Sequence, residues 1–564
     1  MISIKRIVFG LFISYAVAAN AGGPGVPGGP AVPTDAGRIL KDNLPPPAAP
    51  QPPEAPPLQV PEAPKPAVPQ GAEDIRVEVT GFNITGNSVI STETLQAAIS
   101  GWAGKSLNFG ELIQVTDKIE AIYHQAGYFL AQAVLPPQQI RAGVITIAIT
   151  EGRLGKVRIE GESRVSPDTW YRYLDELPAG EVATEAVLDR QALLINELAG
   201  ASATLDLQAG EAPGTTDVVL MHKATPLFTG QAYVDNYGLP STGEYRFGVS
   251  GALNSPLQLG DRLTGNLVLS NTGNLQTYGL RYDLPIGGKG WRAYIDKSRA
   301  QYTLGDDFSA LDAHGTADSW RTGVSYPWLR GRKANLNLQL EADYNHLRDV
   351  IRSQGLRLGK HSYGLTFTPT LDWQDAWLGG GFSQISIDLR LARLDLGSDA
   401  KLFDEPPGGP DTDGGFGRIT LNLFRQQTLT RQLALIGQWR HQFASKNLDS
   451  SEKISVGGPQ RLVGYPVNQS TADEGGYGKL ELRWQAQDKL ALGVFAEYAR
   501  LKFLHDPLGG ADNHAVYRDA GFSASWRMLS QVDFNASIAW AGNEDPNPGD
   551  DDRPRIWAGL SYVW

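Results

Sequence analysis

From Ala224 to Trp564, a stretch of 341 residues, apolar and polar side chains alternate with period two. Leu336, Leu338, Leu340, Ala342 and Tyr344 interleave with Asn335, Asn337, Gln339, Glu341 and Asp343. Leu490, Leu492, Val494, Ala496 and Tyr498 interleave with Ala491, Gly493, Phe495, Glu497 and Ala499. Segments of about ten residues with one apolar and one polar face are the signature of strands that cross a lipid bilayer. Sixteen such segments begin near residues 229, 244, 261, 275, 290, 316, 334, 360, 382, 417, 431, 477, 489, 518, 531 and 555. An even number closes an antiparallel sheet on itself and leaves no unpaired edge in lipid. The expected fold of residues 224–564 is therefore a 16-stranded antiparallel transmembrane β-barrel with a wet lumen, preferred over a soluble β-sandwich or β-helix.

The chain opens with a different pattern. Lys5 and Arg6 precede a 13-residue apolar run, Ile7–Ala19, and Ala19-Asn20-Ala21 fits a small-x-small cleavage site. Residues 1–21 read as a signal peptide for export, too short to span a bilayer as a helix. Residues 22–73 follow as a linker, with 16 of the 36 prolines lying in 22–72. Such a composition cannot bury enough apolar surface to fold by itself. One island within it, about 35–44, is free of proline. Asp35 is placed to cap a short helix there, and Ile39, Leu40 and Leu44 share one face, next to Arg38. The pattern fits either a helix on a tether that docks elsewhere or a residual unstructured patch.

Between linker and barrel lie two related segments, 74–152 and 153–223. The first runs strand, helix, helix, strand, strand. It opens with Val77, Val79, Phe82 and Ile84 and closes with Val144–Ile149. The second repeats the order, and Val157-Arg158-Ile159-Glu160-Gly161 echoes Phe82-Asn83-Ile84-Thr85-Gly86 at an offset of 75 residues. A repeat this long means small α+β modules in tandem, since solenoid repeats span roughly 20–50 residues. Each module should expose a strand edge and a helix–strand groove, the features that accept an added strand from an extended partner.

Composition removes several function classes. The chain has no cysteine, which excludes disulfide frameworks, thiolate metal sites and a cysteine nucleophile. Its net charge of −11 argues against nucleic-acid binding. Gly101-Trp102-Ala103-Gly104-Lys105-Ser106 imitates the end of a phosphate-binding loop, but its glycines are spaced too closely to cradle a phosphate. Asp411-Thr412-Asp413-Gly414-Gly415 hints at a calcium loop, yet its twelfth position is Asn422 rather than Glu. Asp550-Asp551-Asp552 reads as a solvated loop. No catalytic constellation stands out, so the expectation is a non-enzyme without metal or cofactor.

These residues together resemble the two-partner secretion transporters of the outer membrane, the haemolysin secretion/activation (ShlB/FhaC/HecB) family. The resemblance rests on the tandem repeats and on Val234-Asp235-Asn236-Tyr237-Gly238 with Ser241-Thr242-Gly243-Glu244-Tyr245-Arg246. Leu259-Gly260-Asp261-Arg262-Leu263 and Tyr282-Asp283-Leu284-Pro285-Ile286-Gly287 add to it. It implies that the repeats are two periplasmic POTRA domains and that the island holding Arg38, Ile39 and Leu40 is a helix that plugs the barrel.

The sharpest motif is Gly457-Gly458-Pro459-Gln460-Arg461-Leu462-Val463-Gly464-Tyr465-Pro466, in the longest inter-strand segment, 444–476. In the family the corresponding loop carries Val-Arg-Gly/Ala-Tyr/Phe, folds back into the barrel, and pairs its Arg with an Asp on the inner wall. Here Val463 occupies the Arg position, Arg461 lies two residues earlier, and the wall position matches Glu497, on the lumen-facing parity. A charge pair could survive as Arg461–Glu497 where the loop is extended enough to keep Arg461 on the same side; the alternative is that the two are unrelated lumen charges.

The implied function is export of a large exoprotein without ATP. The partner is a secreted protein with an N-terminal two-partner-secretion domain (an adhesin, haemolysin or similar). It adds an extended segment to a POTRA edge, the plug leaves, the loop rearranges, and the partner threads out and folds outside. A barrel-assembly insertase or a passive channel are the alternatives. The protein is expected in the outer membrane of a Gram-negative bacterium, as a monomer in outer-membrane lipid. Trp564 at the C-terminus would be read by the barrel-assembly machinery.

Overall fold

The computed structural model describes residues 34–42, 76–177, 179–405, 409–509, 512–542 and 554–564. The expected signal peptide, the linker on both sides of the helical island, Leu44 and Asp550–Asp552 lie outside the described residues.

Sixteen strands close into one barrel, and every neighbouring pair is antiparallel. The first strand, Phe228–Asp235, pairs with both the second, Arg246–Asn254, and the last, Arg555–Val563. The alternation located the strands well. The largest offsets are the eighth strand, expected near 360 and found at Leu356–Asp375, and the fourteenth, expected near 518 and found at His514–Leu529. Among the described residues no helix is long and apolar enough to cross a membrane, so the chain crosses with strands.

The wall is uneven. The strand opposite the seam, Leu356–Asp375, has 20 residues, whereas the first strand has 8. At the seam only five residue pairs join Gly559–Val563 to Gln231–Asp235. Beyond them Asn236 continues the pairing with its side chain. Its amide donates to the Ile556 carbonyl at 2.9 Å and accepts from the Ala558 N–H at 2.8 Å. Outward parity carries the apolar set, as with Val494 and Tyr498. The inward neighbours Phe495, Glu497 and Ala499 are buried by material inside the barrel.

Two α+β units precede the barrel. In the first, β1 (Arg76–Val79) pairs with β3 (Lys105–Asn108). A second sheet runs β2 (Gly81–Thr85), β5 (Val144–Thr150), β4 (Gln132–Val134), with β2 and β5 parallel. Helices α2 (Thr92–Ile99) and α3 (Phe109–Gln125) cover it. Asn108 and Glu111 form a reciprocal capping box at the start of α3. The phosphate-loop imitation falls in the turn after α2 and leads into β3.

The second unit has the order β6 (Arg153–Glu162), β8 (Thr215–Ala224), β7 (Ala201–Ala209), with α4 (Pro167–Leu174) and α5 (Glu185–Asn196) packed on it. Its chain order is the strand, helix, helix, strand, strand expected from the repeat. The repeat is exact at one telling point: Gly86 and Gly161 both have positive φ, 84° and 114°. A Cβ on either would lie about 2 Å from a carbonyl of the parallel neighbour, at 2.1 Å from Ile149 O and 2.0 Å from His222 O. Only glycine fits both places.

The second unit is fastened to one rim of the barrel. Arg332 pairs with Asp189 and Arg330 with Glu197 at 2.7 Å. Arg190 donates to the Pro327 carbonyl at 2.9 Å, and Ser166 N–H donates to Gln258 O at 2.8 Å. Burial pushes the Asp189 carboxyl up despite the Arg332 guanidinium beside it. That rim defines the periplasmic end.

Candidate functional site: the plugged lumen

Among the described residues, two segments fill the barrel. One is α1 (Ala36–Asp42), the helical island of the linker. Asp35 caps it as expected, with its Oδ1 accepting the Arg38 N–H at 3.0 Å. Ile39 is 2% exposed and sits with Leu275, Tyr302 and Leu347 of the wall, and Leu40 packs at the edge of the same cluster. The wall residue Asp349 accepts both the Ala36 N–H at 2.8 Å and the Tyr302 hydroxyl at 2.7 Å.

The other is the segment between the strands Leu433–Ala444 and Glu474–Gln487, which folds inward rather than out into solvent. Its stem is a short hairpin, Ile454–Val456 against Ser470–Ala472. Its base is held by charges. Asp449 takes Lys360 of the wall at 2.8 Å. Glu452 takes Arg390 at 3.0 Å and Arg418 at 2.6 Å, and Arg390 also binds Asp343. All six side chains are at least four-fifths buried, and each charge has an opposite partner within reach, as burial requires.

The tip carries the motif. Gly457 and Gly458 have φ of 99° and 104°, and Leu462 is left-handed at 59°. The Arg461 N–H donates to Gly458 O, and the Tyr465 N–H to Leu462 O, at 3.2 and 3.0 Å. Pro459 lies within this tight double turn. Leu462, Val463 and Tyr465 are at most 1% exposed. Because the chain turns here, the two-residue parity that would aim Arg461 at Glu497 does not hold. The expected Arg461–Glu497 pair does not appear among the contacts of the described residues. Arg461 instead donates to the Ser455 carbonyl at 3.1 Å and to its hydroxyl at 2.6 Å.

Glu497 does reach the loop, through the main chain. Its Oε2 accepts the Val463 N–H at 2.8 Å. Its register partner on the next strand, Asp519, accepts the Gly464 N–H at 2.7 Å. Trp557 of the last strand donates its indole N–H to Val463 O at 2.8 Å, and the Tyr465 hydroxyl donates to Arg518 O at 3.0 Å. Sequence reading missed Asp519 and Trp557. Both lie on the inward parity, but only the strand register sets them beside Glu497 and the tip.

Plug and loop also grip each other. The Ser450 hydroxyl donates to the Asp35 carboxylate. Arg38 donates to Thr471 Oγ1 at 2.7 Å, and the Lys41 ammonium to the Lys453 carbonyl. A Cβ on Gly37 would meet Ser451 Cβ at 2.6 Å. Lys360 touches both bodies, at 2.8 Å from Asp449 and 3.8 Å from Asp35.

Comparison with known proteins decides what this plugged barrel is. Residues 214–501 match the family model of the haemolysin secretion/activation proteins ShlB/FhaC/HecB, and residues 77–152 match the ShlB-type POTRA domain. The chain belongs to this family. It is a two-partner secretion transporter of the outer membrane, with its POTRA domains in the periplasm. The heme/hemopexin transporter protein HuxB of Haemophilus influenzae is 24% identical over 483 residues, covering 84% of each chain. The hemolysin transporter protein ShlB of Serratia marcescens is 23% identical over 506 residues, covering 86% of each. In fold, the transporter resembles CdiB from Escherichia coli, with a TM-score of 0.67 at 19% identity over 90% of this chain and 94% of that one.

Proposed function

We propose that this transporter captures a large unfolded exoprotein at its POTRA strand edges and passes it outward through a lumen that α1 and the inward loop close at rest. The observation that carries the reading is the interlocked pair of bodies in the pore. Separate apolar clusters around Ile39, Val463 and Tyr465 hold them to the wall, and hydrogen bonds and ion pairs bind them to the wall and to each other; a closure divided among separate clusters and polar contacts suits one made to be released. A passive channel would leave its lumen open.

The edges that would receive the cargo are β4 or β2 of the first unit and β6 or β7 of the second, each the outer strand of its sheet. No nucleotide is at hand outside the inner membrane, so folding of the cargo on the far side supplies direction. The cargo is a secreted exoprotein with an N-terminal secretion domain. Trp564 serves as the assembly signal, supported by its place at the periplasmic foot of the seam, where it exchanges main-chain bonds with Gly230 at 3.0 and 3.2 Å. The protein acts as a monomer and performs no catalysis.

The test is deletion of the gene in its host, with comparison of surface and medium proteins. Loss of one large secreted protein with other barrels unchanged supports dedicated export. A fall in many barrels indicates an insertase instead. An unchanged protein profile with altered solute uptake indicates a channel.

A further inference from the structure

On the outward face, the strands Trp291–Thr303, Ala313–Arg330, Ala334–Ile351, Leu356–Asp375 and Gly381–Leu396 stand side by side. Their register sets Trp320, Tyr344 and Tyr363 in one row, all close to half exposed. Below this row the outward positions are apolar: Leu336, Leu338, Leu340 and Ala342 on one strand, Leu365 and Phe367 on the next. The row lies toward the rim opposite the POTRA domains. It is the outer aromatic girdle, and it marks the level of the lipid headgroups.

Directly above the girdle the outward face turns charged, with Asp318, His346, His361 and Asp395 facing one another in one row. His346 faces His361 across the strands, their rings stacked at 4.4 Å. One step higher Arg348 faces Gly359, and one step above that Arg357 faces Val350. Arg348 and Arg357 are thus diagonal neighbours, about 7–8 Å apart at the backbone. Both are exposed. A Cβ on Gly359 would meet nothing within 4 Å, so the four basic side chains border an open notch.

The nearby acids are already engaged. Asp318 holds Lys297 at 2.8 Å and Arg299 at 3.5 Å, and Asp395 holds Arg393 at 2.9 Å. Asp399 spends an oxygen on the Arg357 main-chain N–H at 3.2 Å. No carboxylate pairs with the guanidinium groups of Arg348 or Arg357 among the described residues. Like charges on facing strand positions are destabilising when nothing lies between them. In a chain of net charge −11, this grouping calls for an anion.

We propose that Arg348, Arg357, His346 and His361 seat a phosphate of the outer-leaflet glycolipid headgroup. The height of the notch selects the ligand. A phosphate at this level, just above Tyr344 and Tyr363, belongs to the lipid whose acyl chains lie against Leu365 and Leu340. The guanidinium pair supplies the planar donors that suit phosphate oxygens. The seat would fix the tall side of the barrel in the outer leaflet, opposite the low seam.

The test uses the purified full-length transporter in detergent, stripped of lipid, and titrated with bis-phosphorylated lipid A by native mass spectrometry. The wild type should bind, and the double variant Arg348→Ala/Arg357→Ala should bind about 30-fold more weakly, from two cations near a charged surface. Lipid A freed of its phosphates should lose affinity for the wild type to a similar degree. Arg527→Ala, which removes an exposed cation at the opposite rim, should bind as the wild type does. Heat-modified gel mobility checks that each variant keeps its barrel. Equal binding by the double variant and the wild type, or equal binding of phosphate-free lipid A, overturns the proposal. So does full displacement of lipid A by millimolar inorganic phosphate, which would mark a general anion site.

Discussion

At Gly464 the inward loop lies tight against the wall, and a single methyl there should unseat the tip. A Cβ at this position would stand 2.9 Å from Ala541 N, 2.9 Å from Asp519 Cβ and 3.0 Å from Trp540 C. Two of these are main-chain atoms of barrel strands and the third is fixed to one, so the wall cannot give way. Gly464→Ala must therefore lift the tip, and the main-chain bonds from Val463 to Glu497 and from Gly464 to Asp519 lengthen together. A hydrogen bond to a charged group contributes about 1.5–3 kcal/mol and one to a neutral group about 0.5–1.5 kcal/mol; the facing carboxyls of Glu497 and Asp519 cannot both be ionised, so losing both bonds costs about 2–4.5 kcal/mol of docking free energy. The lower figure already lowers the ratio of docked to undocked tip by roughly 30-fold. Single-channel recording in planar bilayers reads this directly, as more frequent and longer openings. The charges stay in place, so a changed lumen field cannot account for the effect. If Gly464→Ala, folded by heat-modified mobility, shows wild-type closed dwell times, the tip is not what holds the pore shut. A cycle with Glu497→Gln sharpens the test: because both changes act through the same bond, their effects should add to less than their sum.

Further outcomes follow from the same contacts. Ile39→Asp puts a charge into the niche of Leu275, Tyr302 and Leu347 and removes about 1.5–3 kcal/mol of apolar burial; raised conductance with the barrel intact is expected. Lys360→Met leaves Asp35 and Asp449 buried without their shared cation, a loss of about 3–5 kcal/mol, and should release plug and loop together as accelerated hydrogen exchange in both segments. Glu151 gives a pH dependence to the first POTRA domain. Burial alone would raise its carboxyl, but hydrogen bonds from Ser88, Val89 and Tyr123 outweigh burial and hold it below the ordinary glutamate range. A carboxyl lowered by folding contributes stability in full above its unfolded value, and the contribution fades as pH falls through the folded one. Exchange in α3 should thus rise below about pH 4.3, and Glu151→Gln should remove that pH dependence.

Much of this was legible because side-chain type encodes it. Each barrel strand must set apolar residues toward lipid and polar ones inward, so period two survives even in strands like Val532–Ala541, where Val532, Phe534 and Ile538 suffice. The helical island could be read as well, since Asp35 caps it and Ile39 marks its buried side. The tip was not legible in the same way. The donors that Glu497 and Asp519 hold are main-chain N–H groups, which every residue but proline carries, so nothing in Val463-Gly464 announces them. Arg461 offered a charge to look for and drew attention to the wrong bond. The left-handed turn at Leu462 redirects it to Ser455, and a local φ reversal leaves little trace in sequence when the residue is leucine. Asp519 needed the register with Glu497, which only strand pairing supplies.

The chemistry of the closure bears on how it can open. A plug held by apolar packing alone would be as hard to remove as a core, and its bare surface would then meet water. Here apolar packing around Ile39, Val463 and Tyr465 is joined by Lys360, Arg390 and Arg418 against Asp35, Asp449 and Glu452, and by hydrogen bonds between α1 and the loop. Buried ion pairs roughly balance their desolvation cost against their attraction, so they specify geometry more than they add stability. When an arriving chain brings water and polar main chain into the lumen, those charges regain hydration and the closed state loses its advantage. The lock therefore weakens in the circumstance in which it must give way. Because α1 and the loop also bind each other directly, through Ser450 to Asp35, Arg38 to Thr471 and Lys41 to the Lys453 carbonyl, release of one body strips hydrogen bonds from the other, so plug and loop should leave as one unit rather than in independent steps.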